Sequence, residues 1–270
     1  MNKRNNQIYV KHHTSYTYEN DVSYAIQKIY LTPRPSENTK IIKWNVESNF
    51  NLVEHTDSFG NILHIGVADK NKKNLFIDAS GSVLISKPKQ RSRINSEKKF
   101  SKDLSTAFVL KQNTFLTQPN DEIESIARSN FRKQKTVDSL LSIASEIKNF
   151  VKYKRGVTGV KTSAIEAWKK GFGVCQDHAH IMLGACRSLG LSARYVSGYL
   201  QGNVYATNAT HAWVEVWINE WVGIDVTNGC SVDDKFLILA VGTDYLSVAP
   251  IRGLINGGGE EKMSVNIEVS

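Results

Sequence analysis

A chain of 270 residues with 41% apolar composition is long enough for one large or two smaller packed cores, which excludes disorder throughout. Three cysteines, Cys175, Cys186 and Cys230, are too few and too unevenly spaced for a disulfide framework, so the thiols are free to be buried or reactive and a reducing compartment is expected. The net charge of +8 arises from Lys and Arg spread along the chain; the one dense run, Lys87 to Lys99, mixes in Pro, Ser and Asn without aromatics, and reads as a solvated linker with no nucleic-acid partner implied.

Met1 to Asn20 has no apolar stretch of signal-peptide length, and no later run is long enough to span a bilayer, so a soluble, cytoplasmic chain with no membrane partner is expected. From Ile8 to Ile85 short β-prone runs (QIYVKH, SYAIQKIYLT, IIKWNVES, NILHIGVA, GSVLIS) alternate with Asn, Asp, Gly and Pro, the pattern of a mostly antiparallel β domain over residues 1–90. Its clearest turn is DSFGN, Asp57 to Asn61. His12, His13, His55 and His64 lack metal-ligand spacing. Residues 91–118 are assigned to a basic linker and connection, and 119–270 to a second domain.

That domain opens with helical periodicity. Asn120 to Phe131 begins with Asn, Asp and Glu and carries Ile123, Ile126, Ala127 and Phe131 on one side. Val137, Leu140, Leu141, Ala144, Ile147 and Val151 recur at threes and fours, predicting a helix over 136–153. Ser163 and Glu166 have capping-box spacing before a short helix that stops at Gly171. A helix over 174–189 then places Cys175 in its first turn, where unpaired N–H groups and the positive dipole end favour a thiolate. Beyond Gly190 the pattern returns to strands: SARYVSGYL, HAWVEVW, WVGIDV and FLILAV. Helices first and sheet second predict α+β, with the nucleophile's helix packed on an antiparallel sheet. GLINGGGEEK, Gly253 to Lys262, reads as a flexible turn before a last strand.

Strand alternation puts His211, Trp213, Glu215 and Trp217 on one face, and Trp221, Gly223 and Asp225 on one face of the next strand. A three-residue loop, Ile218 to Glu220, pairs Trp217 with Trp221 and makes His211 and Asp225 diagonal neighbours, roughly 7–8 Å apart at Cα, so that imidazole and carboxylate can meet. A two-residue loop would set them on opposite faces. Cys175, His211 and Asp225 thus supply nucleophile, base and orienting acid, with the Cys175 backbone N–H as an oxyanion donor.

GFGVCQDHAH, HAWVEVW and WVGIDVTNG, in that order and spacing, resemble the core of the transglutaminase-like superfamily of thiol enzymes, and LGLSARYVSGYL resembles the segment between nucleophile helix and histidine strand. YVKHHTSYTYENDV, YLTPRP and DSFGN resemble the N-terminal β domain of a bacterial branch described as cysteine proteases; VGTDYLSVAPIRG resembles that branch's closing segment, with Thr243 where a basic residue is expected. The resemblance implies a papain/transglutaminase-like core, the triad Cys175, His211 and Asp225, a peptide or protein substrate, and neither cofactor nor metal, because nothing in the chain is similar to the additional domains of the calcium-regulated animal enzymes. Hydrolysis of a peptide or isopeptide amide is the expected activity; acyl transfer from glutamine to an amine and non-catalytic peptide binding are the alternatives.

Plainer roles are expected for the neighbouring residues. His178 and His180 lie two apart on a helix and cannot face one metal. His178 and Cys186 are expected in the core, Cys230 at a strand end, Asp177 as a first-turn acid, and Trp213, Trp217 and Trp221 as cover for the sheet.

Overall fold

A computed structural model describes residues 6–86, 104–131, 136–202 and 209–270. The basic cluster from Lys87 to Lys99 lies outside them. Two very long strands, β1 (Asn6–Ile29) and β4 (Ile62–Ile85), pair antiparallel over almost their full length. Alternation in β1 turns Ile8, Val10, His12, Thr14, Tyr16 and Tyr18 inward and their neighbours outward. The free edge of β4 is taken by β2 (Thr39–Ser48) and β3 (Asn51–Thr56).

The other edge of β1 is covered by the far end of the chain. β12 (Ile251–Gly257) and β13 (Glu261–Val269) both pair antiparallel with β1 and complete a six-stranded sheet. The second-domain range of 119–270 is therefore corrected at its end, since residues 251–269 belong to the first sheet. The flexible turn expected over 253–262 is also shorter, because β12 continues to Gly257. Gly257, Gly258 and Gly259 then reverse the chain with φ of 87°, 86° and 70°, a run of left-handed residues that only glycine adopts without strain.

Between these ends lie the helices and a second antiparallel sheet. The connection contains α1 (Leu104–Val109) and a turn at Thr114–Thr117, and is packed inward through Leu110, Leu116 and Thr117. Then come α2 (Asp121–Asn130), α3 (Val137–Phe150), β5 (Lys152–Tyr153), α4 (Ala164–Lys170), β6 (Phe172–Gly173) and α5 (Cys175–Ser188). α3 ends three residues before its predicted limit because the amides of Lys152 and Lys154 bond to the carbonyls of Gly171 and Gly173, which draws the chain into a short parallel pair. The second sheet has the order β10-β9-β8-β7-β11, made of β7 (Ala193–Leu200), β8 (His211–Trp217), β9 (Trp221–Asp225), β10 (Cys230–Ser231) and β11 (Phe236–Gly242). A one-turn helix, α6 (Tyr245–Val248), leads into β12.

α5 is buried from Asp177 to Arg187 because the sheet covers one side and α2, α3 and α4 cover the other. The two sheets share a core: Tyr199, Leu237 and Leu239 of the second sheet pack among the buried residues of β1 and β4. Asn61 of the DSFGN turn fastens them together, donating to the Val241 carbonyl at 2.8 Å and accepting from the Val241 amide at 2.9 Å.

Two buried histidines make this packing sensitive to acid. His12 sits between the sheets, with Nδ1 2.6 Å from the Tyr199 hydroxyl and Nε2 2.9 Å from Thr14 Oγ1. His180 on α5 accepts the Tyr245 amide at Nε2. Burial lowers both to about 4 from an ordinary 6.5. Between those values the unfolded chain binds protons that the folded chain does not, so stability present above pH 6.5 is lost as pH falls toward 4, by about 3 kcal/mol per histidine. The urea midpoint is expected to drop over this window, and His12→Gln to make that drop shallower.

Candidate active site

The segment ahead of Cys175 is built from local hydrogen bonds. The Ser163/Glu166 capping box forms as expected, with the Ser163 amide donating to Glu166 Oε2 at 2.8 Å, and α4 stops at Gly171. Asp177 is almost fully enclosed. Its Oδ2 accepts from the Val174 amide and the Thr158 hydroxyl, both at 2.7 Å, which pins the chain on either side of the nucleophile. Burial outweighs these donors and pushes the Asp177 carboxyl up. Cys175, the first residue of α5, is half-buried at the boundary between core and solvent.

The strands take the register that unites the other two residues. Trp217 pairs with Trp221, Val216 with Val222, Glu215 with Gly223 and Val214 with Ile224, across a loop in which Asn219 has φ 91°. His211 Nε2 lies 2.7 Å from Asp225 Oδ2, and both side chains are buried. A carboxylate accepts, so Nε2 carries the proton and Nδ1 is the nitrogen left for Cys175. Nδ1 is buried and has no hydrogen-bond partner among the described residues. Burial alone pulls the His211 pKa down; the hydrogen bond with Asp225, followed by the nearby Cys175 and the charges of both, reverse this and raise it to about 10.

Asp225 is held from behind. Burial pushes its carboxyl up, but His211 and Asn228 outweigh that and hold it below the ordinary value. Asn228 donates its side-chain amide to Oδ2 at 2.5 Å and its backbone amide to Oδ1 at 3.1 Å, while Gly229 N–H bonds to the Asp225 carbonyl and Lys148 Nζ to the Asn228 carbonyl. Sequence reasoning quoted Asn228 within WVGIDVTNG without giving it a role; an Asn three residues after the acid was the available signal.

His178 is a core residue, as expected. Its Nε2 faces the Val151 carbonyl at 2.8 Å and must donate, so Nδ1 accepts from the Thr227 hydroxyl at 2.9 Å. Cys186 is fully buried and Cys230 begins β10. Trp213 is also fully buried, and its ring is near-parallel to His211 with centroids 6.1 Å apart. Trp217 and Trp221 meet edge to face, and Arg194 lies over Trp221. Among the described residues no group of three or more His, Cys, Asp or Glu side chains is arranged to hold a metal ion, and no helix is long and apolar enough to cross a membrane.

Gly198, the register partner of His211, leaves no room for a side chain. A Cβ there would lie 2.2 Å from the Leu237 carbonyl oxygen and 2.5 Å from the Trp213 ring. Gly198→Ala is therefore expected to cost about 1–3 kcal/mol by overpacking and to displace Trp213 against His211. Urea unfolding and the His211 ring resonances would record both effects.

Comparison with known proteins gives a consistent assignment. Residues 125–226 match the transglutaminase-like superfamily core, and residues 8–84 the bacterial transglutaminase-like N-terminal region. The uncharacterized protein ML0607 of Mycobacterium leprae is 28% identical over 271 residues, covering 97% of each chain. Rv2569c of Mycobacterium tuberculosis, also uncharacterized, is 28% identical over 288 residues, covering 96% of this chain and 91% of its own. A crystal structure described as a "Putative Cysteine Protease" from Cytophaga hutchinsonii superposes with a TM-score of 0.78 at 20% identity, over 99% of this chain and 91% of that one, and so shares its fold. With both of its regions matched in order, the chain belongs to the transglutaminase-like superfamily and carries the bacterial N-terminal β region ahead of the core.

Proposed function

We propose that the protein is a thiol enzyme that cleaves a peptide or isopeptide amide through Cys175, His211 and Asp225. The observation that carries this reading is the imidazole held at 2.7 Å by a buried carboxylate on one nitrogen, with the other turned to a half-exposed thiol at a helix start. His211 Nδ1 holds the Cys175 proton in a thiolate–imidazolium pair, and the sulfur attacks the amide carbonyl carbon. The resulting oxyanion is stabilised by the Cys175 backbone N–H at the N-terminus of α5. As the intermediate collapses, the C–N bond breaks and Nδ1–H protonates the leaving amine, which leaves a thioester on Cys175. Water, deprotonated by Nδ1, then attacks the thioester, and the thiol recovers its proton. Asp225 keeps Nε2 protonated throughout and stabilises the imidazolium. Water is the default acyl acceptor, which favours hydrolysis over transfer to an amine.

The test is intact-mass analysis after incubation with a pooled peptide library and a primary amine, comparing wild type with Cys175→Ala. Cleavage products that vanish in the variant are expected. Amine adducts on glutamine peptides would instead make the protein a transferase, and identical spectra for the two proteins would count against catalysis.

A further inference from the structure

Resting on the reading of Cys175 as the nucleophile, we infer that the surface around that residue takes an acidic segment of the peptide or protein substrate, held by basic residues of the two segments that flank it. One side is the stretch Lys152 to Lys161, KYKRGVTGVK, which holds four cations and no carboxylate in ten residues. Lys154, Arg155 and Lys161 are all exposed. The stretch is fastened to the start of α5: Lys154 N–H bonds to the Gly173 carbonyl, Thr158 to Asp177, and Gln176 Nε2 to the Gly159 and Val160 carbonyls at 3.4 and 3.5 Å. Residues 173, 176 and 177 bracket Cys175, so the backbone of this stretch runs along the start of α5, and Lys154 Nζ lies over the Phe172 ring three residues before the nucleophile.

A second set of cations comes from the segment after β11 and from the N-terminal sheet. Tyr245 packs with Cys175 against the same core cluster. The carbonyls of the helix that begins there are capped by two cations: Arg252 donates to the Leu246 carbonyl at 3.0 Å and Lys28 to the Ser247 carbonyl at 3.4 Å. Electrostatics tie the pieces together. Burial pushes the Tyr245 phenol up, Cys175 adds to that, and Arg252 opposes it. Carboxylates of these segments are already committed, Asp177 to the α5 start, Asp225 to His211, Glu166 to Ser163 and Asp244 to the Ser247 amide.

Clustered surface cations over a low-dielectric core raise the local concentration of an anionic ligand. The spacing of separate point charges along a loop and a turn suits a run of Asp and Glu side chains, whereas base-stacking aromatics are absent from Lys152 to Lys161 apart from Tyr153.

The test uses the full chain and reads iodoacetamide alkylation of Cys175 by mass spectrometry in the presence of a decapeptide of alternating Glu and Gln. Protection by roughly tenfold is expected at low salt, fading above about 0.3 M where the Debye length falls below ~6 Å. The same peptide with Lys for Glu should not protect, and the triple variant Lys154→Glu, Arg155→Glu, Lys161→Glu should lose the protection, read as the ratio of Cys175 alkylation rates without and with peptide within each protein. Selective alkylation of Cys175 that the glutamate peptide leaves unchanged would overturn the inference. So would equal protection by the lysine peptide, or protection by a single-stranded oligonucleotide alone. Failure of the underlying reading looks different, with Cys175 alkylating no faster than Cys186 and Cys230 when no peptide is present.

Discussion

Asp225→Asn is expected to lower kcat by roughly 10⁴-fold, about 5.5 kcal/mol of transition-state stabilisation, while leaving the fold intact. The reason lies in which nitrogen of His211 carries the proton. Asp225 Oδ2 accepts from both His211 Nε2 and the Asn228 amide, so in the wild type Nδ1 is free to accept the thiol proton. In the variant the new carboxamide keeps its oxygen at the Oδ1 position, where the Asn228 backbone amide still donates, and its NH₂ group takes the Oδ2 position facing His211. The imidazole then accepts at Nε2 and carries its proton on Nδ1, the tautomer that cannot act as a base toward Cys175. Nitrogen NMR of the ring would register the switch directly. A second signature is the alkaline limb. With His211 raised to about 10, protonation of the leaving amine should persist across neutral pH and fail only as pH rises through that value; in the variant the limb should move toward the ordinary histidine range. Unchanged kcat in Asp225→Asn would remove Asp225 from the proposed mechanism.

The second large effect concerns stability. Arg187, near the end of α5, is 4% exposed and ties together four parts of the chain. It donates to the Leu110 carbonyl, the Thr117 hydroxyl at 3.0 Å, the Ala193 carbonyl at 2.9 Å and the Thr243 carbonyl at 2.7 Å. Burial lowers its pKa to about 10, and the Asp244 carboxylate works against that shift. Arg187→Met keeps much of the volume but strands these acceptors and the Asp244 charge in the interior, so a loss of about 3–5 kcal/mol is expected in urea unfolding. Arg187→Lys should recover only part of it, because one ammonium cannot reproduce the planar fork. A loss below about 1 kcal/mol in the Met variant would show that the acceptors find other partners.

The second sheet was legible from sequence because its signals are local. Period-two alternation in HAWVEVW and WVGIDV, joined by three residues, suffices to define which side chains meet across the hairpin, and His211 and Asp225 meet as that register requires. The same holds for the capping box at Ser163 and the helix start at Cys175. What escaped depends on distant partners. Nothing in IRGLING distinguishes a strand that pairs with residues 22–29 from a loop, since its partner lies at the other end of the chain. Arg187 reads as an ordinary last-turn cation, and only the return of residues 110, 193 and 243 encloses it. Thr243, noted as departing from the expected basic residue, contributes through its carbonyl, which no side-chain pattern can reveal.

The pairing of β1 with residues at both ends of the chain has a consequence for biosynthesis. β4 covers one side of β1 soon after both are made, but the opposite side stays bare until β12 and β13 emerge, roughly two hundred residues later, so a nascent chain presents an open strand edge for most of its translation. At the usual ~5–20 residues per second this window lasts on the order of ten seconds or more. A ribosome stalled before codon 251 would hold a chain able to recruit a second β1 by edge-to-edge pairing, which makes premature termination here a route to aggregation even though the triad residues would all have been synthesised.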